Sequence, residues 1–154
     1  MLAHTFDSPA GRITAVESGG LLIHIAFDGI GGIPQGTSDL LEKTERQICE
    51  YLSRGRRDFD LPIGFNAAPF TNDVMEAMRR IPYGTVVTYS ELAEMSGHPG
   101  AQRAVGNACA RNPLPIVVPC HRVVPSGKGI GNYSGPPGMK RILLRIEGYL
   151  PEVP

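Results

Sequence analysis

"TYSELAEMSGHPGAQRAVGNACARN", residues 88–112, reads as two helices joined by a turn. Thr88 is a natural N-cap, and Glu91 three residues later completes the spacing of a capping box, in which two orphan N–H groups are satisfied reciprocally. Gly97 stops the first helix. After His98-Pro99-Gly100, the period resumes. Ala101, Ala104, Val105, Ala108 and Cys109 recur at i, i+3, i+4, i+7 and i+8, the stripe of a helix that buries one face. A helix, a brief glycine-containing turn and a second helix predict a helix-turn-helix. Its outward face would carry Gln102, Arg103, Gly106, Asn107, Ala110 and Arg111. Small residues at 106 and 110 would let a phosphate backbone approach, and the two arginines would supply charge. A plain αα-hairpin packed in a core has the same pattern, so these residues alone leave DNA binding open.

Upstream, residues 70–80 predict another helix, with Phe70, Val74, Ala77, Met78 and Ile81 on one face and "PYG" at 82–84 as its stop. "RGRRDFDLPIGFNAAP" (54–69) reads as a linker. Before it, residues 2–6, 12–17 and 21–27 read as short strands, with Gly19-Gly20 as a hairpin turn. His24 falls in the third as a core or edge histidine. "GIGGIPQG" (29–36) is a loop, and residues 40–52 predict a helix with Leu41, Thr44, Ile48, Tyr51 and Leu52 on one face. Asp39 and Glu42 resemble its capping box. The expected class is α+β: a small antiparallel-sheet domain with a helix over 1–62, then a mostly helical domain over 63–154.

Composition excludes several functions. The 154 residues are 42% hydrophobic and 19% charged, ordinary for a soluble globule. No apolar run approaches the roughly 20 residues that span a bilayer. The N-terminus lacks a basic segment followed by an apolar one, so no signal peptide is expected and the cytoplasm is the expected compartment. Cys49, Cys109 and Cys120 are an odd set for a disulfide framework. They and the four scattered histidines have no zinc-site spacing, so no metal or other cofactor is expected. Net charge is zero, with six Lys/Arg against nine Asp/Glu in residues 1–69 and nine against six in 70–154. That lean is within ordinary surface variation.

The chemistry concentrates in "IVVPCHRVVPSGKG", 116–129. Residues 116–118 have the β-branched content of a buried strand, and Pro115 and Pro119 make it an edge or end it at Cys120. On an extended backbone Cys120 and His121 point to opposite sides. A bridging water, or a bend at Cys120, would be needed for His121 to take the thiol proton, and only the thiolate is nucleophilic. A buried inert thiol is the competing reading. The last helix, "GMKRILLRIEG", would bury Met139, Ile142, Leu143 and Ile146. Glu147 falls in its final turn, where a carboxylate opposes the macrodipole unless a cation or donor meets it. His121 is a candidate partner, and a solvent-exposed Glu147 is the plainer one.

"PCHRVV", with "RAVGNACARNPLPIVV" before it and "GNYSG" after it, resembles the O6-alkylguanine-DNA alkyltransferases, the methylated-DNA–protein-cysteine methyltransferases. The similarity runs from about Phe70 to Gly148, and "DSPAGRITAV" and "YLSRGRRDFDLP" fit that family's variable N-terminal domain. The resemblance implies a monomer, able to cluster along DNA, that binds duplex DNA carrying O6-alkylguanine. It would flip the damaged base out and transfer the alkyl group once, to Cys120, with O4-alkylthymine as a further substrate. It implies His121 as a base acting through a water, Glu147 as its orienting partner and Asn112 as a hinge. Arg103 would enter the duplex in place of the extruded nucleotide, while Tyr89 would press on the target's phosphate and protonate the leaving guanine. Tyr133, Ser134, Val123, Cys109 and Lys140 would form the base pocket.

Four features depart from the family. Met75 replaces a usual tryptophan. Cys109 sits where pocket-wall residues are expected and on the buried helical stripe, so it is not expected to be a second acceptor. Pro136 and Pro137 stiffen a loop that is usually glycine-rich, and the N-terminal region lacks the cysteine cluster with which some relatives bind zinc. Two other functions compete. Alkyltransferase-like proteins recognise the lesion but lack the acceptor cysteine, which is present here. A thiol hydrolase would need a base in direct contact with the thiol and would give Arg103 no task.

Overall fold

The computed structural model describes residues 1–127, 129–133 and 135–149. The chain divides into two compact units, Met1–Phe65 and the remainder from Asn66. The architecture is α+β.

In the first unit, β1 (Leu2–Ser8), β2 (Gly11–Ser18) and β3 (Leu21–Ala26) form an antiparallel sheet in that order. Gly19 and Gly20 make the β2–β3 turn with φ of 60° and 81°, the pair of positive angles that a two-residue turn needs to follow strand twist. Helix α1 (Asp39–Ser53) lays Leu41, Ile48 and Tyr51 into a core with Ala3, Phe6, Ile13 and Leu22. Its cap is Ser38 rather than Asp39: the Ser38 hydroxyl accepts from Leu41 N at 3.2 Å and donates to Glu17 at 2.7 Å. His24 is half-buried on edge strand β3, and burial holds its pKa below the ordinary value. The unit ends at Phe65, beyond the expected boundary after residue 62. The cause is local pairing: Leu22 N donates to Pro62 O, and Gly64 N to Leu22 O.

The second unit opens with α2 (Pro69–Arg79), whose proline at the helix start loses no intrahelical bond. Val74, Met75, Ala77 and Met78 are its buried face, so Met75 is a core residue. The capping box at α3 (Tyr89–Met95) forms as its spacing predicts: Thr88 Oγ1 accepts from Glu91 N at 3.0 Å, and Glu91 Oε1 accepts from Thr88 N at 2.7 Å. Helix α4 (Gln102–Ala110) buries Val105, Ala108 and Cys109. Ala104 is exposed, so the buried stripe is narrower than its alanines suggest.

Residues 116–118 form a turn, not the expected strand. Val118 N donates back to Leu114 O at 2.8 Å, and Ile116 takes φ of 75°, a strained angle for a β-branched side chain. Asn112 holds this shape. Its Nδ2 donates to Val118 O at 2.8 Å, and its Oδ1 accepts from Leu114 N at 2.9 Å. Prolines at 113, 115 and 119 remove three of the seven N–H groups of residues 113–119, and a side chain replaces a sheet neighbour as the backbone's partner.

The chain next makes one 3-10 turn, Cys120–Arg122, and enters β5 (Val123–Val124), which pairs in parallel with β4 (Val87–Thr88). That pairing sets the start of α3 beside Cys120. Helix α5 (Met139–Ile146) buries Met139, Lys140, Leu143 and Leu144. Ile142, expected inside, is 46% exposed, and Ile146 is half-buried. The helix is turned so that Lys140 faces inward, where carbonyls meet its ammonium.

Candidate active site and nucleic-acid interface

Cys120 begins the 3-10 turn and is 5% exposed. Cys120 and His121 lie within this turn, so the extended geometry expected at 120–121 does not apply. Burial pushes the Cys120 thiol up, opposed first by a hydrogen bond from Asn112 and then by the Lys140 charge. Lys140 is itself nearly enclosed, and burial lowers it to about 8. Its Nζ donates to Val123 O at 2.6 Å and to Asn132 O at 3.2 Å. A buried ammonium bonded to neutral carbonyls is costly, and thiolate formation at Cys120 is the event that would offset it.

His121 is fully enclosed. Its Nε2 meets Glu147 Oε2 at 2.7 Å. Burial depresses its pKa, partly countered by Glu147, a direction that favours the neutral ring. An Nε2 proton donated to the carboxylate leaves the lone pair on Nδ1. Glu147 is buried, not solvent-exposed. It also accepts from Gly84 N at 3.0 Å and from Arg122 at 2.9 Å through each of Nε and Nη2. Arg122 donates further to Ile81 O at 2.6 Å and lies over the Tyr83 ring, 5.7 Å from its centroid. The Arg122 cation and these donors meet a carboxylate that the helix terminus would otherwise disfavour.

Cys120 opens into a cavity of about 530 Å³ whose walls include Tyr89, Gly106, Asn107, Cys109, Ala110 and Tyr133. A neighbouring cavity of about 520 Å³ shares Tyr89, Gly106 and Asn107 and adds Gln102 and Arg103. On α4, Gln102, Arg103, Asn107 and Ala110 are exposed, as is Arg111 after it, and Gly106 is half-buried against Tyr89. Tyr89 thus stands where the two cavities meet. Cys109 packs its sulfur 3.7 Å from the Met78 thioether, and burial, aided by the Cys120 charge, raises its pKa to about 12. It lines the cavity wall beside Cys120. Val123 has its carbonyl on Lys140 and its N–H on Cys120 O. Ser134 lies outside the described residues.

Residues 69–149 match the family of 6-O-methylguanine DNA methyltransferase, DNA binding domain. The chain is 35% identical to the methylated-DNA–protein-cysteine methyltransferase of Metallosphaera sedula, over 97% of this chain and 95% of that one. The chain belongs to the methylated-DNA–protein-cysteine methyltransferase family. It is 42% identical to the constitutive enzyme of that name from Bacillus subtilis, over 70% of this chain but only 66% of the relative's length. Its fold is similar to the crystal structure of Mycobacterium tuberculosis OGT in complex with DNA, with a TM-score of 0.89 and 31% identity over 98% of this chain and 96% of that one.

Of the residues named from the sequence, Cys120, Asn112, His121, Glu147 and Lys140 are buried, with His121 bonded to Glu147 and Lys140 to the Val123 carbonyl. Tyr89, Gly106, Asn107 and Arg103 line the cavities beside them. Arg111 lines neither cavity among the described residues. Sequence reasoning gave no role to Arg122, Tyr83 or Gly84. Arg122 stands within the quoted "PCHRVV", and "PYG" was read only as a helix stop. The available signal was an arginine beside a histidine that needs a carboxylate. No helix among the described residues is long and apolar enough to cross a membrane.

Proposed function

We propose that this protein repairs DNA directly, moving the alkyl group of O6-alkylguanine in duplex DNA to Cys120 in a single turnover. One observation carries the reading: the cavity that ends on Cys120 adjoins the exposed face of α4, with Tyr89 lining both. A base extruded from a duplex on α4 has a path to the thiol. Extrusion costs a few kcal/mol, which Arg103 offsets by filling the vacated stack. The flat, small-residue face at 106 and 110 suits backbone contact in the minor groove more than base readout.

The chemical step follows from the buried network. His121 Nδ1 takes the Cys120 proton through a water. The thiolate attacks the alkyl carbon, the carbon–O6 bond breaks, and the Tyr89 hydroxyl protonates the departing guanine. Hydrogen-bond donation where charge develops is what stabilises such a step. The thioether product has no easy return path, so the yield is one alkyl group per protein. Tyr133, Cys109 and the Val123 backbone wall the base, and O4-alkylthymine fits the same reaction. The protein acts as a monomer that can cluster on DNA, in the cytoplasm, without a cofactor. The recognition-only alternative is disfavoured by the presence of Cys120. The test is removal of the lesion from a duplex carrying one O6-methylguanine. Lesion loss should saturate at one equivalent per protein. Binding without loss would favour recognition alone, and turnover beyond one equivalent would exclude a stoichiometric acceptor.

A further inference from the structure

We propose that Arg122 is a positioning residue of the alkyl-transfer site: by pairing with both carboxylate oxygens of Glu147, it keeps His121 a neutral ring, protonated on Nε2 and basic at Nδ1. The inference rests on the alkyl-transfer reading above. Its basis is the way the Glu147 carboxylate is divided. Oε1 takes Gly84 N and Arg122 Nε, and Oε2 takes His121 Nε2 and Arg122 Nη2. The side chains of His121 and Glu147 are 0% exposed and that of Arg122 is 8% exposed. The guanidinium cannot drift, because Nη1 is held by Ile81 O and its plane lies over Tyr83. Bidentate geometry of this kind is specific to arginine.

A buried carboxylate facing an imidazole alone would draw a proton onto the ring, since an ion pair is the cheaper buried state. An imidazolium has no lone pair with which to take the thiol proton. Arg122 removes that tendency, because Glu147 already has its counter-charge. The charged groups acting on His121 are Glu147 at the end of α5, Lys140 from the same helix and Arg122 on its own turn, and Arg122 lies over Tyr83. With Arg122 and Lys140 charged, a third cation at His121 would be opposed by both. The two cations and burial push the ring in the same direction, against Glu147.

The experiment is the single-turnover rate of methyl transfer against pH, in wild type, Arg122→Met and Arg122→Lys. The Arg122→Met midpoint should move up by about one unit or more, so that transfer about one unit below its new midpoint falls roughly tenfold from its own alkaline plateau. Arg122→Lys, which keeps the charge, should move less. An equal loss at every pH with an unmoved midpoint would make Arg122 merely structural and overturn the proposal. If the variants do not fold, nitrogen NMR of wild-type His121 decides. A neutral ring with its proton on Nε2 at about pH 7 supports the proposal, and an imidazolium there overturns it. Absence of transfer by the wild type would remove the functional reading instead, and the NMR result would still report on the ring.

Discussion

Two thiols face one cavity from different elements, and their surroundings differ more than their exposure does. Cys109 on α4 is 6% exposed and Cys120 on the 3-10 turn is 5% exposed. Burial raises the pKa of both. Around Cys109 the neighbour is the Met78 thioether, and any negative charge on Cys120 opposes its ionisation further. Around Cys120, Asn112 donates, Lys140 supplies charge, and His121 follows next in the chain with its Nε2 already committed to Glu147. Desolvation alone makes a thiol inert. What distinguishes an acceptor is the set of donors and the base that stabilise the thiolate once it forms. That set is built by the turn after Asn112, whereas the Cys109 side is built by helix packing.

Removal of the acceptor breaks this contrast most severely. Cys120→Ala should abolish alkyl transfer while DNA binding persists, measured by lesion removal and by mobility shift. Transfer retained through Cys109 would erase the distinction. Next in size is Glu147→Ala, which strands a buried guanidinium and frees Gly84 N and His121. Loss of one partner from a buried ion pair costs about 3–5 kcal/mol, readable by urea unfolding. Asn112→Ala leaves a buried carbonyl at 118 and a buried N–H at 114 unpaired, each worth about 1–3 kcal/mol. It should also slow thiol alkylation by a small electrophile, because the turn and the thiolate share that side chain. Cys109→Ala should cost only about 1 kcal/mol, the scale of a modest core truncation, and should leave the stoichiometry of transfer unchanged.

Stability against pH sharpens the comparison with a smaller effect. Cys109 is raised from 9.0 to about 12, so between those values the folded state keeps a proton that the unfolded chain releases. Its contribution is full below 9.0 and is lost as pH rises toward 12. Cys109→Ala should therefore soften the alkaline loss. Lys140 acts oppositely: lowered from 10.5 to about 8, it adds stability as pH rises through that window. His121 lies below its ordinary 6.5, so the unfolded chain binds the proton first, and stability falls as pH drops below 6.5. Urea midpoints across pH test all three signs.

Much of the frame was legible because it is local. The Thr88–Glu91 capping box and the glycine turn at 19–20 depend on residues a few positions apart. The wrong readings share one cause, tertiary partners that outweigh local preference. Residues 116–118 have strand propensity, yet Asn112 and the neighbouring prolines fold them into a turn with Ile116 at a strained angle. The pattern of α5 places Ile142 inside, but the helix turns Ile142 outward and buries Lys140, whose ammonium meets two carbonyls. Cys120, His121 and Glu147 were legible as types and through family resemblance. The Arg122–Glu147 pair joins residues 25 apart, and no spacing rule reaches across an intervening loop and helix.

The most direct test of the central claim is peptide mass spectrometry after mixing the protein with one equivalent of duplex carrying a single O6-methylguanine. The account predicts one added methyl on the peptide containing Cys120, in yield equal to lesion lost, with Cys109 unmodified. A methyl on Cys109, or lesion bound without any added mass, would contradict it.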